Sequence, residues 1–125
     1  PCTKVYEDDK TLAFMDIMPQ ADGHTLVIPK EPAITLMDLS PESAAYTINI
    51  VQKVGKAIQT ALGAEGIVLM QLNGSKAGQT VPHIHFHLIP SSIHELGKHA
   101  AQMGDIDKIK QFAEKIRDSA LLGDK

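Results

Sequence analysis

Residues 83–89 read His83-Ile84-His85-Phe86-His87-Leu88-Ile89, a strict alternation of imidazoles with hydrophobic side chains up to Leu88. A period of two belongs to an extended strand, where successive side chains point to opposite faces and same-face neighbours stand about 6.5–7 Å apart. The chain must therefore give this segment two environments. One is a covered apolar face for Ile84, Phe86 and Leu88, and the other is a face along which His83, His85 and His87 stand in a row.

The remaining elements follow from pattern and punctuation. The alternating stretch, residues 81–90, pairs with the dense apolar run of residues 66–72 across the turn-rich residues 73–78. Val5-Tyr6 and Thr11-Leu12-Ala13-Phe14 flank polar Glu7-Asp8-Asp9-Lys10, which predicts an opening hairpin. After a loop over residues 16–23, His24-Thr25-Leu26-Val27-Ile28 is rich in β-branched residues and stops at Pro29, as a strand would. Ser40-Pro41-Glu42 reads as an N-cap, a first-turn proline and an acid at the positive end of a helix. Ala44, Ile48, Val51, Val54, Ile58 and Leu62 recur every three or four residues, and Gly63 suits the left-handed position past a helix end. Asp105 caps a last helix, a C-terminal extension over about 104–122, in which Ile106, Ile109, Phe112, Ala113 and Ile116 share a face. The charged residues around Lys108, Lys110, Glu114, Lys115 and Arg117 are its solvated side. Strands first, a helix between and a helix after predict an α+β domain: a mainly antiparallel five-stranded sheet, a central helix and a C-terminal helix.

A length of 125 residues, with no repeat and no low-complexity block, suits a single domain over residues 1–125. No run approaches the roughly 18 apolar residues of a membrane span, and Pro1 opens no charged-then-apolar leader, so neither membrane nor export is expected. Fifteen acids against twelve bases give a charge of -3, with Lys and Arg scattered. This lacks the broad basic face that nucleic-acid binding requires. The single cysteine, Cys2, closes no intrachain disulfide, which points to a reducing compartment, the cytoplasm.

The chemistry is concentrated in the histidine row. Imidazole titrates near neutrality, so a row of them can supply a nucleophile, hold it in one tautomer and handle a proton, as group transfer at pH 7 needs. A metal site is the rival, because strand histidines at i and i+2 can both reach one ion. Thr80, Val81, Pro82, Ile84, Phe86 and Leu88 supply no acid beside the run, and one cysteine forms no thiolate cluster. The local chemistry favours catalysis without a metal.

The run Gly78-Gln79-Thr80-Val81-Pro82-His83-Ile84-His85-Phe86-His87-Leu88-Ile89 resembles the signature of the histidine triad (HIT) superfamily. The resemblance extends back through Leu12-Ala13-Phe14-Met15-Asp16-Ile17-Met18-Pro19-Gln20 and Gly23-His24-Thr25-Leu26-Val27-Ile28-Pro29-Lys30, covering residues 5–90. It implies a nucleotidyl hydrolase that releases a nucleoside monophosphate, with a purine nucleotide as substrate, from an amine or a second phosphate. The implied route is a covalent nucleotidyl-histidine, with no cofactor. By resemblance His85 is the nucleophile, His87 meets the phosphate or leaving group, His83 orients the cluster, and His24 lies beside the triad. Asp16 corresponds to the acid that binds the ribose hydroxyls, while Phe14 and Ile17 form part of the wall around the base. Asn73, Gly78, Gln79 and Thr80 correspond to the phosphate-side loop, where backbone N–H groups approach the anion and Thr80 donates to the departing group. The superfamily's transferase branch carries glutamine in place of the third histidine, so His87 favours water as final acceptor. The resemblance also implies a homodimer joined across the central helix and a neighbouring strand, with which the apolar density of residues 48–58 and 66–72 agrees.

The sequence departs from the family pattern in three places. Members usually carry an N-terminal segment that helps close the base pocket, whereas this sequence begins at Pro1, close to the first strand. Some bacterial members bind zinc through an N-terminal cysteine pair and a later histidine; here no pair exists and Pro32 follows Lys30 closely, so no structural zinc is expected. The phosphoramidase branch commonly ends soon after the triad in an aromatic tail, whereas this chain runs on to Lys125 without a tryptophan, leaving a dinucleoside polyphosphate hydrolase or a nucleotide-binding module with little turnover as alternatives. His94 and His99 read as exposed histidines beyond the triad.

Overall fold

The computed structural model describes residues 2–96 and 103–119. Strands β1 (Lys4–Glu7) and β2 (Thr11–Met15) form the opening hairpin, and β3 (Thr25–Pro29), β4 (Val68–Met70) and β5 (Phe86–Ile89) complete a five-stranded sheet in the order β1-β2-β3-β5-β4. Every neighbouring pair is antiparallel. The hairpin turn is organised by Asp8, whose carboxylate accepts from the N–H groups of Lys10 and Thr11, the Thr11 hydroxyl, and the phenols of Tyr6 and Tyr46.

Helix α1 (Pro41–Leu62) begins where the sequence places it, with Ser40 Oγ accepting from the N–H of Ser43, and ends at Gly63 in the left-handed conformation, φ 64°. Its buried stripe is Thr47, Ile50, Val51, Val54, Ala57 and Ile58, which packs on the sheet face formed by Val5, Ala13, Met15, Val27, Phe86 and Leu88. Ile48 does not join the stripe: it is 45% exposed. At 100° per residue it falls beside the stripe that Ile50, Val54 and Ile58 define. Helix α2 (Ile106–Arg117) starts at Asp105, whose side chain accepts from the N–H groups of Asp107 and Lys108. It packs against α1 and β1 through Ile109, Ala113 and Ile116, while Ile106, at the first turn, stays 41% exposed. Arg117 anchors its far end by donating to the carbonyl of Lys4.

The histidine strand is shorter than residues 81–90. Only Phe86–Ile89 pair in the sheet, between β3 and β4. Pro82 removes a donor from the lead-in, and the main chain there bonds to another loop instead, with the N–H of Ile84 donating to the carbonyl of Ala33. The alternation survives without a continuous ladder: Ile84, Phe86 and Leu88 are buried, while His83, His85 and His87 are half-buried. Residues 97–102, including His99, lie outside the described residues, as does the expected helical extension beyond Ser119.

Candidate active site

Register brings the site together. Leu26 opposes His87 across β3 and β5, and Met15 opposes Thr25 across β2 and β3. Just past that last pair the N–H of Asp16 donates to the carbonyl of His24, so Asp16 and His24 continue the ladder by one step. His24 is two residues before Leu26 and therefore on the same face as His87, as its diagonal neighbour. Their rings meet with Nε2 of His24 2.9 Å from Nδ1 of His87. Asp16 Oδ2 lies 3.4 Å from the same His24 nitrogen. The ring of His85 stands edge-on to His87, with centroids 4.9 Å apart.

Hydrogen bonds to the backbone, and one between rings, assign each imidazole its tautomer. The N–H of Gln20 donates to His24 Nδ1 at 3.0 Å, so a neutral His24 carries its proton on Nε2. That N–H points at His87 Nδ1, which must accept, and the His87 proton is then on Nε2. His83 Nε2 donates to the carbonyl of Pro29 at 2.8 Å. His85 Nδ1 donates to the carbonyl of His83 at 2.8 Å, which leaves the lone pair of His85 on Nε2. The row thus holds one unprotonated ring nitrogen on His85 and one N–H on His87, with the rings in contact.

The electrostatics agree with these tautomers. Burial pushes His87 down to about 4, with the neighbouring His24 and His85 adding to the shift against an opposing pull from Asp16. His24, only 2% exposed, is lowered by burial as well, again opposed by Asp16. Both rings are held neutral at pH 7.

The HIT domain model matches residues 1–94. The chain is 47% identical over 97 residues to a Schizosaccharomyces pombe protein named adenosine 5'-monophosphoramidase hnt1, covering 78% of this chain and 70% of that protein. This chain belongs to the HIT family. It is also 42% identical over 90 residues to the protein named hit of Bacillus subtilis, a match that spans 72% of this chain and 62% of that one. In three dimensions it resembles a HIT-like protein from Bartonella henselae, with TM-score 0.88 and 45% identity, over 95% of this chain and 87% of the other.

The other residues singled out in this HIT chain fall into two groups. Phe14, half-buried on β2, opposes Leu26 on the outer sheet face, and Ile17 is 45% exposed in the loop that carries Asp16. The loop over residues 73–80 is braced internally. Asn73 Oδ1 accepts from the N–H of Leu36 and from the Gln71 amide. Gln79 donates to the carbonyls of Ile34 and Val81 and accepts from the N–H of Gly74. The N–H groups of Gly78 and Gln79 close onto the carbonyls of Ser75 and Gly74 in a tight turn at Ser75–Ala77. Thr80 is exposed, and among the described residues no hydrogen bond engages it. His94 is exposed beyond the triad.

The fold supplies the acid that the local sequence lacks. Asp16, His24 and His87 each offer a ligand atom within 4.8 Å of the others, a spacing that can hold a metal ion. The donor chemistry does not fit one. Coordination through His24 Nε2 would move its proton to Nδ1, against the N–H of Gln20. The cluster is built around a proton. Gln20 and Pro29 lie in the stretches that resemble the family, but the contributions of the Gln20 N–H and the Pro29 carbonyl are not marked there, because a backbone group looks the same at every position.

Proposed function

We propose that this HIT protein is a nucleotidyl hydrolase that cleaves a purine nucleoside 5'-monophosphate from a phosphoramidate through a nucleotidyl-histidine. The observation that carries the reading is the hydrogen bond from His85 Nδ1 to the carbonyl of His83, which aims the nucleophilic lone pair through Nε2. His85 Nε2 attacks the α-phosphorus, a P–N bond forms, and the bond to the leaving amine breaks. The leaving nitrogen accepts a hydrogen bond from His87 Nε2–H and departs as the amine with a proton from solvent, so His87 stays neutral. Water then attacks the phosphorus, the P–Nε2 bond breaks with its electron pair returning to His85, and the water proton is released to solvent. Thr80 donates to the departing group, Asp16 to Ile17 and Phe14 line the nucleoside side, and the loop from Asn73 through Gly78 and Gln79 shapes the phosphate side. The phosphoramidase name of the fission-yeast relative supports this choice of leaving group.

The same reading takes residues 1–125 as one domain, because α2 packs on α1 and β1 rather than standing apart. It takes the molecule as a homodimer, supported by the outer strand β4, where Leu69 is 50% exposed, and by Ile48 on α1. The free, exposed Cys2 suits a reducing compartment such as the cytoplasm.

The test is incubation with adenosine 5'-phosphoramidate, with and without chelator, beside His85→Ala. Chelator-insensitive release of the monophosphate, reduced by roughly a thousandfold or more in the variant, is the expected result. Release abolished by chelator would overturn the metal-free mechanism. Tight nucleotide binding without release from this substrate or from a dinucleoside polyphosphate would make the protein a binding module.

A further inference from the structure

Asp16 has two carboxylate oxygens in different situations. Oδ1 accepts from the N–H of Met18 at 2.8 Å, which fixes the rotation of the group. Oδ2 is thereby held 3.4 Å from His24 Nε2, the nitrogen whose proton is shared with His87. Asp16, His24 and His87 line one cavity of about 240 Å³ together with Met18, Met70, Ile89 and Leu96.

We propose that Asp16 is a positioning residue for the reaction as well as a ribose ligand: its carboxylate holds the Nε2–H tautomer of His24, and through it the Nε2–H tautomer of His87 that donates a hydrogen bond to the leaving group. The chain runs from the Gln20 N–H to His24 Nδ1, from His24 Nε2–H to His87 Nδ1 with Asp16 Oδ2 alongside, and leaves His87 Nε2–H facing the substrate. No net proton leaves Asp16 in this role. It makes one arrangement of protons lower in energy than the alternatives, as a carboxylate beside a catalytic imidazole can. The proposal rests on the hydrolase reading for its kinetic consequence but not for its structural one.

Asp16→Asn gives a sharp test, because the carbonyl of the new amide would keep the Met18 N–H and turn its NH2 toward His24 Nε2–H, donor against donor. The kinetic arm compares wild type and variant on adenosine 5'-phosphoramidate and on its 2',3'-dideoxy counterpart, which has no ribose hydroxyls for Asp16 to bind. The expected result is a kcat lowered about tenfold or more on the dideoxy substrate too, with the additional KM effect confined to the ribose substrate. Equal kcat of wild type and variant on the dideoxy substrate would overturn the proposal and leave Asp16 a ribose ligand only. The second arm is ring-15N NMR of the substrate-free proteins. Wild type should show His24 and His87 each protonated on Nε2, and the variant should lose that pure state. An unchanged tautomer pattern would overturn the proposal. If wild type releases no nucleotide at all, the hydrolase reading fails while the NMR arm still decides the role of Asp16.

Discussion

His87 meets very different environments in the folded and the unfolded chain. Folded, its imidazole titrates at about 4, mainly because of burial and then because of His24 and His85; unfolded, a histidine titrates near 6.5. At pH 7 neither state holds the proton. As pH falls below about 6.5 the unfolded chain takes it up and the folded one does not, so stability falls with pH down to the folded value. From pH 7 to pH 5 the loss is on the order of 1–2 kcal/mol from this residue alone. Urea unfolding at both pH values should show it, and His87→Gln should remove a matching part of the dependence. Identical pH dependence in the two proteins would mean that His87 titrates normally when folded. At the same scale His83 works in two ways, tying its ring to Pro29 and its carbonyl to His85, and a ring substitution removes only the first.

At the scale of elements, the loop between β2 and β3 and the β1–β2 turn are the joints on which the site depends. Gly23, immediately before His24, has φ +85°, and a Cβ there would collide with Leu62 at the end of α1. Gly23→Ala is expected to cost at least about 1–2 kcal/mol from the backbone alone and to disturb His24, which should appear as a lowered denaturation midpoint together with reduced turnover. Loss of turnover with unchanged stability would argue that the joint is not strained. Asp8 joins the hairpin turn to Tyr46 on α1, and its bonds to two amides and three hydroxyls outweigh burial and hold its carboxyl well below the usual range. Burial and the Asp8 contact in turn raise the Tyr6 phenol to about 12. Asp8→Ala should destabilise the protein by about 2–3 kcal/mol, measured by chemical unfolding, since it leaves several donors unpaired around one partly buried point.

For the whole molecule, the β4 edge of the sheet, with Leu69 half-exposed on it and Ile48 half-exposed on α1, is where a homodimer is expected to form. Sedimentation of the wild type should give twice the 13.5 kDa chain mass, and Leu69→Lys should shift it toward one chain. A wild-type mass of one chain would remove the dimer.

The elements were legible in the sequence because each is announced within a few residues of itself. Ser40, Pro41 and Gly63 bracket α1, Asp105 opens α2, and the alternation at His83, His85 and His87 separates a polar from a buried face. The placement of Ile48 and Ile106 was not legible, since several apolar residues lie near each helical stripe and packing selects among them. The site divides in the same way. The histidine row and its common face could be read from residue types and spacing. The proton positions could not, because they depend on His24 meeting His87 across 63 residues, on Asp16 arriving beside both, and on backbone groups of Gln20 and Pro29 that carry no signature in the chain. Local patterning sets which residues can do chemistry, but only sheet register brings distant atoms to hydrogen-bonding distance, and at that distance the tautomers are decided.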